Sequence, residues 1–280
     1  MSVISNTALE NPRARSLIVP REHGAWGMLL VPLVTGAAVG LMTQVHLLPL
    51  LLLIIVALSL FWLRTPVEAW LGTSPLKAQT AAEKNSVLVA AAALSSAAAF
   101  CLTLLFWNGR NRSLLLLGAI AAAAFIFQAG LKKLGRSTRM AAQVIGAVGL
   151  TSTAPAAYYV VAGQLDFRAL ALWLANWLFA GNQIHFVQLR IHAARAATRS
   201  ERLSRGRFFL LGQIVMVAVL LMAWRAGLWP LLMLLAFLPA LWRGTAWFLS
   251  PPQPLAVRRL GWTELAHAIV FGTLLVIAFL

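Results

Sequence analysis

His46-Leu47-Leu48-Pro49-Leu50-Leu51-Leu52-Leu53-Ile54-Ile55-Val56-Ala57-Leu58-Ser59-Leu60-Phe61-Trp62-Leu63 contains no Asp, Glu, Lys or Arg. As a helix rising about 1.5 Å per residue, this run covers roughly 27 Å, close to the roughly 30 Å of a bilayer's hydrocarbon core. The same pattern recurs on both sides. Nine spans are expected, at about 24–42, 46–63, 86–107, 113–131, 140–162, 167–189, 207–224, 227–249 and 262–280. Composition agrees. Of 280 residues, 61% are hydrophobic and 11% charged, against about 45–50% and 25% in soluble domains. The expected fold class is therefore all-α: a cytoplasmic tail over 1–23, then one transmembrane domain over 24–280 built as a nine-helix bundle. The first twenty residues are polar and basic without an apolar core, so no cleavable signal peptide is expected. The last span is expected to end at Leu280 without a tail.

The net charge of +16, from 23 Lys and Arg against 7 Asp and Glu, would suggest a nucleic-acid partner in a soluble chain. In a membrane chain the distribution must be examined first, because cations collect in cytoplasmic loops. With the N-terminus inside, the inner segments hold Arg13, Arg15 and Arg21, then Arg64, Lys77 and Lys84, then Lys132, Lys133, Arg136 and Arg139. Further along they hold Arg190, Arg195, Arg199, Arg202, Arg205 and Arg207, and finally Arg243, Arg258 and Arg259. Those are nineteen; Arg110, Arg112, Arg168 and Arg225 remain outside. The bias predicts N-terminus in and C-terminus out, in a multi-pass protein with no nucleic-acid partner. Cys101 is the one cysteine, which excludes an intrachain disulfide and a cysteine metal cluster.

Ionisable groups inside a bilayer are costly and usually face a cavity or a partner. Three segments concentrate them. Pro20-Arg21-Glu22-His23-Gly24-Ala25-Trp26-Gly27 crowds a cation, an anion, an imidazole and two glycines at the start of the first span, and reads as a charged interface cap or as part of a site. Asn176-Trp177-Leu178-Phe179-Ala180-Gly181-Asn182-Gln183-Ile184-His185-Phe186-Val187-Gln188-Leu189-Arg190 places Asn182, His185, Phe186 and Arg190 on or near one helix face, as a cavity lining would. Glu264-Leu265-Ala266-His267 is an i,i+3 pair with the spacing of di-iron bundles. A metal or haem site drawing on Glu22, His23, His185, Glu264 and His267 is a third hypothesis, although four residues of pattern assign no ligand set. Arg64, Lys132, Lys133, Arg136, Arg139 and Gln143 could bind an anionic head group, since guanidinium forks suit phosphate, or simply face lipid phosphates.

The segment Val19-Pro20-Arg21-Glu22-His23-Gly24-Ala25-Trp26-Gly27-Met28 resembles the YwiC-like family of bacterial integral membrane proteins, which implies a bacterial cytoplasmic (inner) membrane location. More distantly, the nine spans and the basic loops at 64–85 and 190–206 resemble the UbiA superfamily of intramembrane prenyltransferases. Lys132-Lys133-Leu134-Gly135-Arg136-Ser137-Thr138-Arg139, with Gln143 and Gly146 following, is similar to its basic loop before the fifth helix. Gly181-Asn182-Gln183-Ile184-His185 is similar to its sixth helix, and Arg64-Thr65-Pro66-Val67-Glu68 stands where its other Asp-rich motif falls. Those enzymes hold Mg²⁺ and prenyl diphosphate through several aspartates. Here Asn182 and Glu68 occupy two such places and the remainder are not acidic, so the usual Mg²⁺ site is not expected and the cofactor is unknown.

The leading expectation is a UbiA-like protein that binds, or as a metal-independent transferase modifies, a lipid-soluble isoprenoid or quinone-type molecule in a cavity open to the cytoplasm. Glu22, His23 and His185 are the candidate catalytic groups. Arg64, Glu68, Arg139, Gln143, Asn182, Arg190, Glu264 and His267 are the candidate substrate contacts. A non-enzymatic transporter or assembly partner is the rival class; membrane lipids are partners in every case.

Overall fold

A computed structural model describes residues 16–19, 23–72, 78–110, 112–135, 137–196, 198–251 and 255–280, with the backbone alone at His23. The described residues form ten long helices and no strands. They are α1 (His23–Leu41), α2 (Leu47–Trp70), α3 (Ala81–Trp107), α4 (Arg112–Lys133), α5 (Arg139–Thr151), α6 (Thr153–Ala162), α7 (Phe167–His192), α8 (Arg199–Arg225), α9 (Leu231–Leu249) and α10 (Val257–Ile277). Eight stretches are long and apolar enough to cross a membrane, with α5 and α6 together making one of them. Helix α7 reaches 26 residues, yet Asn176, Asn182, Gln183, His185 and Gln188 keep it from that set.

Two expected boundaries change. The span expected over 140–162 is interrupted at Ser152. Pro155 has no N–H to offer the Thr151 carbonyl and its ring crowds that carbonyl. Three successive hydroxyls bond backbone carbonyls around the break: Thr151 to Ala147 O (2.7 Å), Ser152 to Gly149 O (2.7 Å), and Thr153 to Leu150 O (2.8 Å). Hydroxyl groups serve in this way where a helix is broken within a membrane. Pro32, Pro66 and Pro239, in contrast, lie inside continuous helices. The second span also extends past Leu63, so Arg64 and Glu68, expected in a loop, lie in the last two turns of α2.

The chain divides into two compact units. The first covers 1–23 and 46–115. There α2 and α3 pack together, with Leu17, Ala69 and Val87 in one buried cluster. Helix α3 opens with a capping box. Thr80 Oγ1 accepts from Glu83 N (3.1 Å), and Glu83 Oε2 accepts from Thr80 N (3.2 Å) and Gln79 N (2.7 Å), which meets orphan donors of the first turn. Most of the remaining α3 surface is apolar and exposed, including Leu88, Val89 and Phe100. Such a face suits lipid contact better than water.

The second unit covers 24–45 and 116–280, and α7 is its hub. It packs on α5, α6, α8, α9 and α10, and Asn176 Nδ2 donates to Thr35 Oγ1 of α1 at 3.2 Å. Two apolar clusters flank the middle of α7. One gathers Phe179, Phe237, Phe271, Leu172 and Met233, with Phe179 and Phe271 stacked at 4.1 Å. The other gathers Phe186, Leu189, Phe209, Phe248 and Leu260. Residues 180–185 lie between them in sequence and carry Asn182, Gln183 and His185.

Candidate functional site

Helix α7 begins on a conventional cap. Asp166 Oδ1 accepts from Ala169 N at 3.2 Å, and its other oxygen accepts from Tyr158 Oη at 2.8 Å. A carboxylate at a helix N-terminus is favoured by the exposed amides and the helix dipole. From there α7 is sewn to α5 by two indoles: Trp173 Nε1 donates to Val148 O and Trp177 Nε1 to Val144 O, each at 3.2 Å. Nearer its end, Gln188 Nε2 donates to Gln143 Oε1 at 2.9 Å. These contacts fix the rotation of α7 and direct its polar face at α9 and α10.

Arg243 is the centre of that face. It is buried on α9, and its Nη1 donates to Glu264 Oε2 of α10 in an ion pair with both side chains almost wholly enclosed. Its Nη2 donates to Asn182 Oδ1 of α7 at 2.9 Å, and its guanidinium lies 4.4 Å from the centroid of the Phe186 ring. Gln183 Nε2 donates to the backbone oxygen of Glu264 at 2.9 Å. Three helices thus meet at one charge-neutral polar layer. Guanidinium suits it: the planar fork serves two acceptors at once while its flat face rests on an aromatic ring. Beside the layer, Gly27, Met28, Val31, Pro32, Asn176, Phe179, Gln183 and Ala268 help to line a cavity of about 10 Å³, the room of about one water molecule.

Of the residues singled out in the sequence, the structure joins Asn182 to Glu264 through Arg243, and Gln143 to Gln188. Arg190 stands at the end of the same face, half-buried, 6.0 Å from the Phe186 centroid. His185 turns toward α8, with its ring edge-on to Phe209 at 5.2 Å. His267 bonds back onto the Thr263 carbonyl at 2.7 Å. Arg139 is exposed at the first turn of α5. Arg64 and Glu68 form an i,i+4 ion pair at 3.1 Å in the first unit. Glu22 and the side chain of His23 lie outside the described residues. Among the described residues no three His, Cys, Asp or Glu side chains come together as a metal-holding group, and Glu264 is engaged by Arg243.

Arg243 is the residue of this polar layer that the sequence reading leaves out of the candidate contacts. Arg243 was counted with the basic segment between the last two spans, yet six further helical residues follow it in α9. That lone cation inside an apolar helix was the available signal. Two other arginines of the basic set are structural. Arg202 is buried and donates to Trp247 O (2.9 Å) and Ser250 O (2.6 Å) at the end of α9. Arg205 donates to His192 O (3.2 Å) at the end of α7. Both satisfy carbonyls that a helix C-terminus leaves unpaired.

A model of the YwiC-like protein family matches residues 19–158, half of the chain, from the Pro20–Gly27 motif through most of α6. Asn182, Arg243 and Glu264 lie beyond the matched stretch. No curated protein and no solved structure matches the chain. By its helix-rich, membrane-suited architecture and by this match, the chain belongs to the YwiC-like family.

Proposed function

We propose that this multi-pass membrane protein binds a lipid-soluble amphiphile of isoprenoid or quinone type at the polar layer of α7. The observation that carries this reading is the buried Arg243–Glu264–Asn182 cluster. An ion pair inside an apolar bundle is costly to assemble and is weak evidence for stability, so its presence argues for a role. The chain crosses the membrane nine times, with α7 as the crossing whose polar side chains are shielded by its neighbours. The N-terminus is cytoplasmic and the C-terminus is outside, in a bacterial inner membrane. The helix arrangement is UbiA-like without the Asp-rich Mg²⁺ motifs, so any group transfer is metal-independent. The ligand's tail lies in lipid while its head approaches past half-buried Arg190 and Gln188.

The test is mass spectrometry of lipids extracted from the purified protein and from its Asn182→Leu variant. Enrichment of an isoprenoid or quinone-type species over bulk membrane, lost in the variant, is the expected result. A profile identical to bulk membrane in both preparations refutes the reading.

A transport role is the second reading. It is favoured by polar side chains that continue from Arg190 through Asn182 to Asn176 and Thr35, about 21 Å along α7 at 1.5 Å per residue. Proteoliposome flux separates the two.

A further inference from the structure

Two prolines leave backbone oxygens short of a donor in the same place. Pro32 of α1 has no N–H for Met28 O, and Pro155 of α6 has none for Thr151 O. Met28 and Thr151 both line the cavity of about 10 Å³ beside the polar layer, together with Pro32, Asn176 and Gln183. The hydroxyls around the break serve other carbonyls. Thr151 donates to Ala147 O and Ser152 to Gly149 O, while Thr153 bonds Leu150 O and, across to α1, Leu29 O at 3.2 Å.

The two amides are oriented by what their nitrogens do. Asn176 Nδ2 donates to Leu172 O and Gln183 Nε2 to Glu264 O, each at 2.9 Å. A backbone carbonyl can only accept, so the oxygen of each amide is the end left over. Among the described residues neither oxygen accepts a hydrogen bond, yet neither belongs to the sealed side-chain atoms without a partner, which are Gln213 Oε1, Arg243 Nε and Glu264 Oε1. Asn176 is 2% exposed and Gln183 9%, so the open space their oxygens touch is the cavity they line.

Four oxygens thus gather at a space with room for about one water molecule. A water carries two hydrogens and would leave half of them unserved, whereas a cation serves all of them at once. No carboxylate lines the cavity, which disfavours Ca²⁺ and Mg²⁺, and the Arg243–Glu264 pair close by is neutral as a unit. Carbonyls freed where transmembrane helices are broken coordinate Na⁺ in other membrane proteins, because such oxygens can replace an ion's hydration shell. The small volume suits Na⁺ over the larger K⁺. We infer that this cavity is a site for one dehydrated Na⁺, held by Met28 O, Thr151 O, Asn176 Oδ1 and Gln183 Oε1. The site goes beyond amphiphile binding, and Gln183 links it to the polar layer through the bond from its nitrogen to Glu264 O.

Binding of radiolabelled Na⁺ to the detergent-purified protein, measured by scintillation proximity with choline holding the ionic strength constant, tests the site. Saturable binding is expected, displaced by unlabelled Na⁺ far better than by K⁺. Pro155→Ala returns an N–H to Thr151 O, and Gln183→Leu removes one amide oxygen. Each is expected to weaken binding by about tenfold, the loss of one contact to a charged group. Pro155→Ala deletes a helix breaker and keeps the comparison decisive should Gln183→Leu fail to fold. Wild-type protein that retains no labelled Na⁺ shows that water fills the cavity, and the inference is overturned. Displacement by K⁺ as effective as by Na⁺, or wild-type affinity in either folded variant, overturns it as well. None of these outcomes depends on which lipids co-purify, so the ion site and amphiphile binding fail separately.

Discussion

Arg243 is the thirteenth residue of a nineteen-residue helix, and its surroundings show what a cation needs in order to remain there. Its two terminal nitrogens have acceptors on α10 and α7, and Phe186 covers its face at 4.4 Å. Breaking a buried pair strands its partner's charge, which costs about 3–5 kcal/mol, whereas replacing both members by apolar groups is often neutral. Arg243→Met alone and Glu264→Leu alone are each expected to lose stability on that scale, and the double variant to regain most of it. Urea or thermal unfolding in micelles measures this as a double-mutant cycle. Simple additivity of the two losses would show that the pair is not coupled.

At the scale of elements, close helix contact in the second unit depends on missing side chains. A Cβ added at Gly36 of α1 would overlap the carbonyl oxygen of Ala154 at the start of α6, and one added at Gly272 of α10 would reach Val31 Cγ1 at 2.9 Å. The obstacle at Gly36 is backbone, which cannot rotate away. Gly36→Val should therefore force α1 and α6 apart and cost at least the roughly 1–3 kcal/mol of an overpacked core. Gly24→Val, where no described residue lies within 4 Å, is the matched control. Melting temperatures of the two variants in the same detergent give the comparison. Small-residue helix packing of this kind is expected in membranes, where burial of apolar surface does not drive helices together.

At the scale of the molecule, the topology turns on whether α7 is a crossing. Among the described residues eight stretches qualify as spans on their own composition; α7 is not one of them, and five helices pack on it. Its twelve buried residues include Asn176, Asn182 and Gln183, so these three polar groups are shielded by the neighbouring helices. The number of crossings is a question of parity. With nine, the termini lie on opposite faces; with eight, on the same face. Reporter fusions at each end, one active only in the cytoplasm and one only outside, are expected to show the N-terminus in and the C-terminus out. Both termini on one face would remove α7 from the set of crossings.

The sequence by itself determined the class. Uninterrupted apolar runs such as 46–63 can be helical inside a bilayer and little else, because lipid supplies no hydrogen bonds and each helix must meet its own backbone needs. The Pro20–Gly27 motif likewise pointed to the family, and the polarity of 176–190 marked the helix that carries Asn182 and Gln183 of the buried polar layer. Tertiary structure decided the partners. Nothing in the order of residues couples Asn182 to Arg243 sixty-one positions away, or turns His185 toward Phe209 while Gln183 meets Glu264. Those pairings depend on how α7 is rotated against α9 and α10. That rotation is set by side-chain fit, by Trp173 and Trp177 on α5 and by the two aromatic clusters. Charge counting could sort Arg243 by its place along the chain, but only the packed helices show that its guanidinium is buried against a carboxylate.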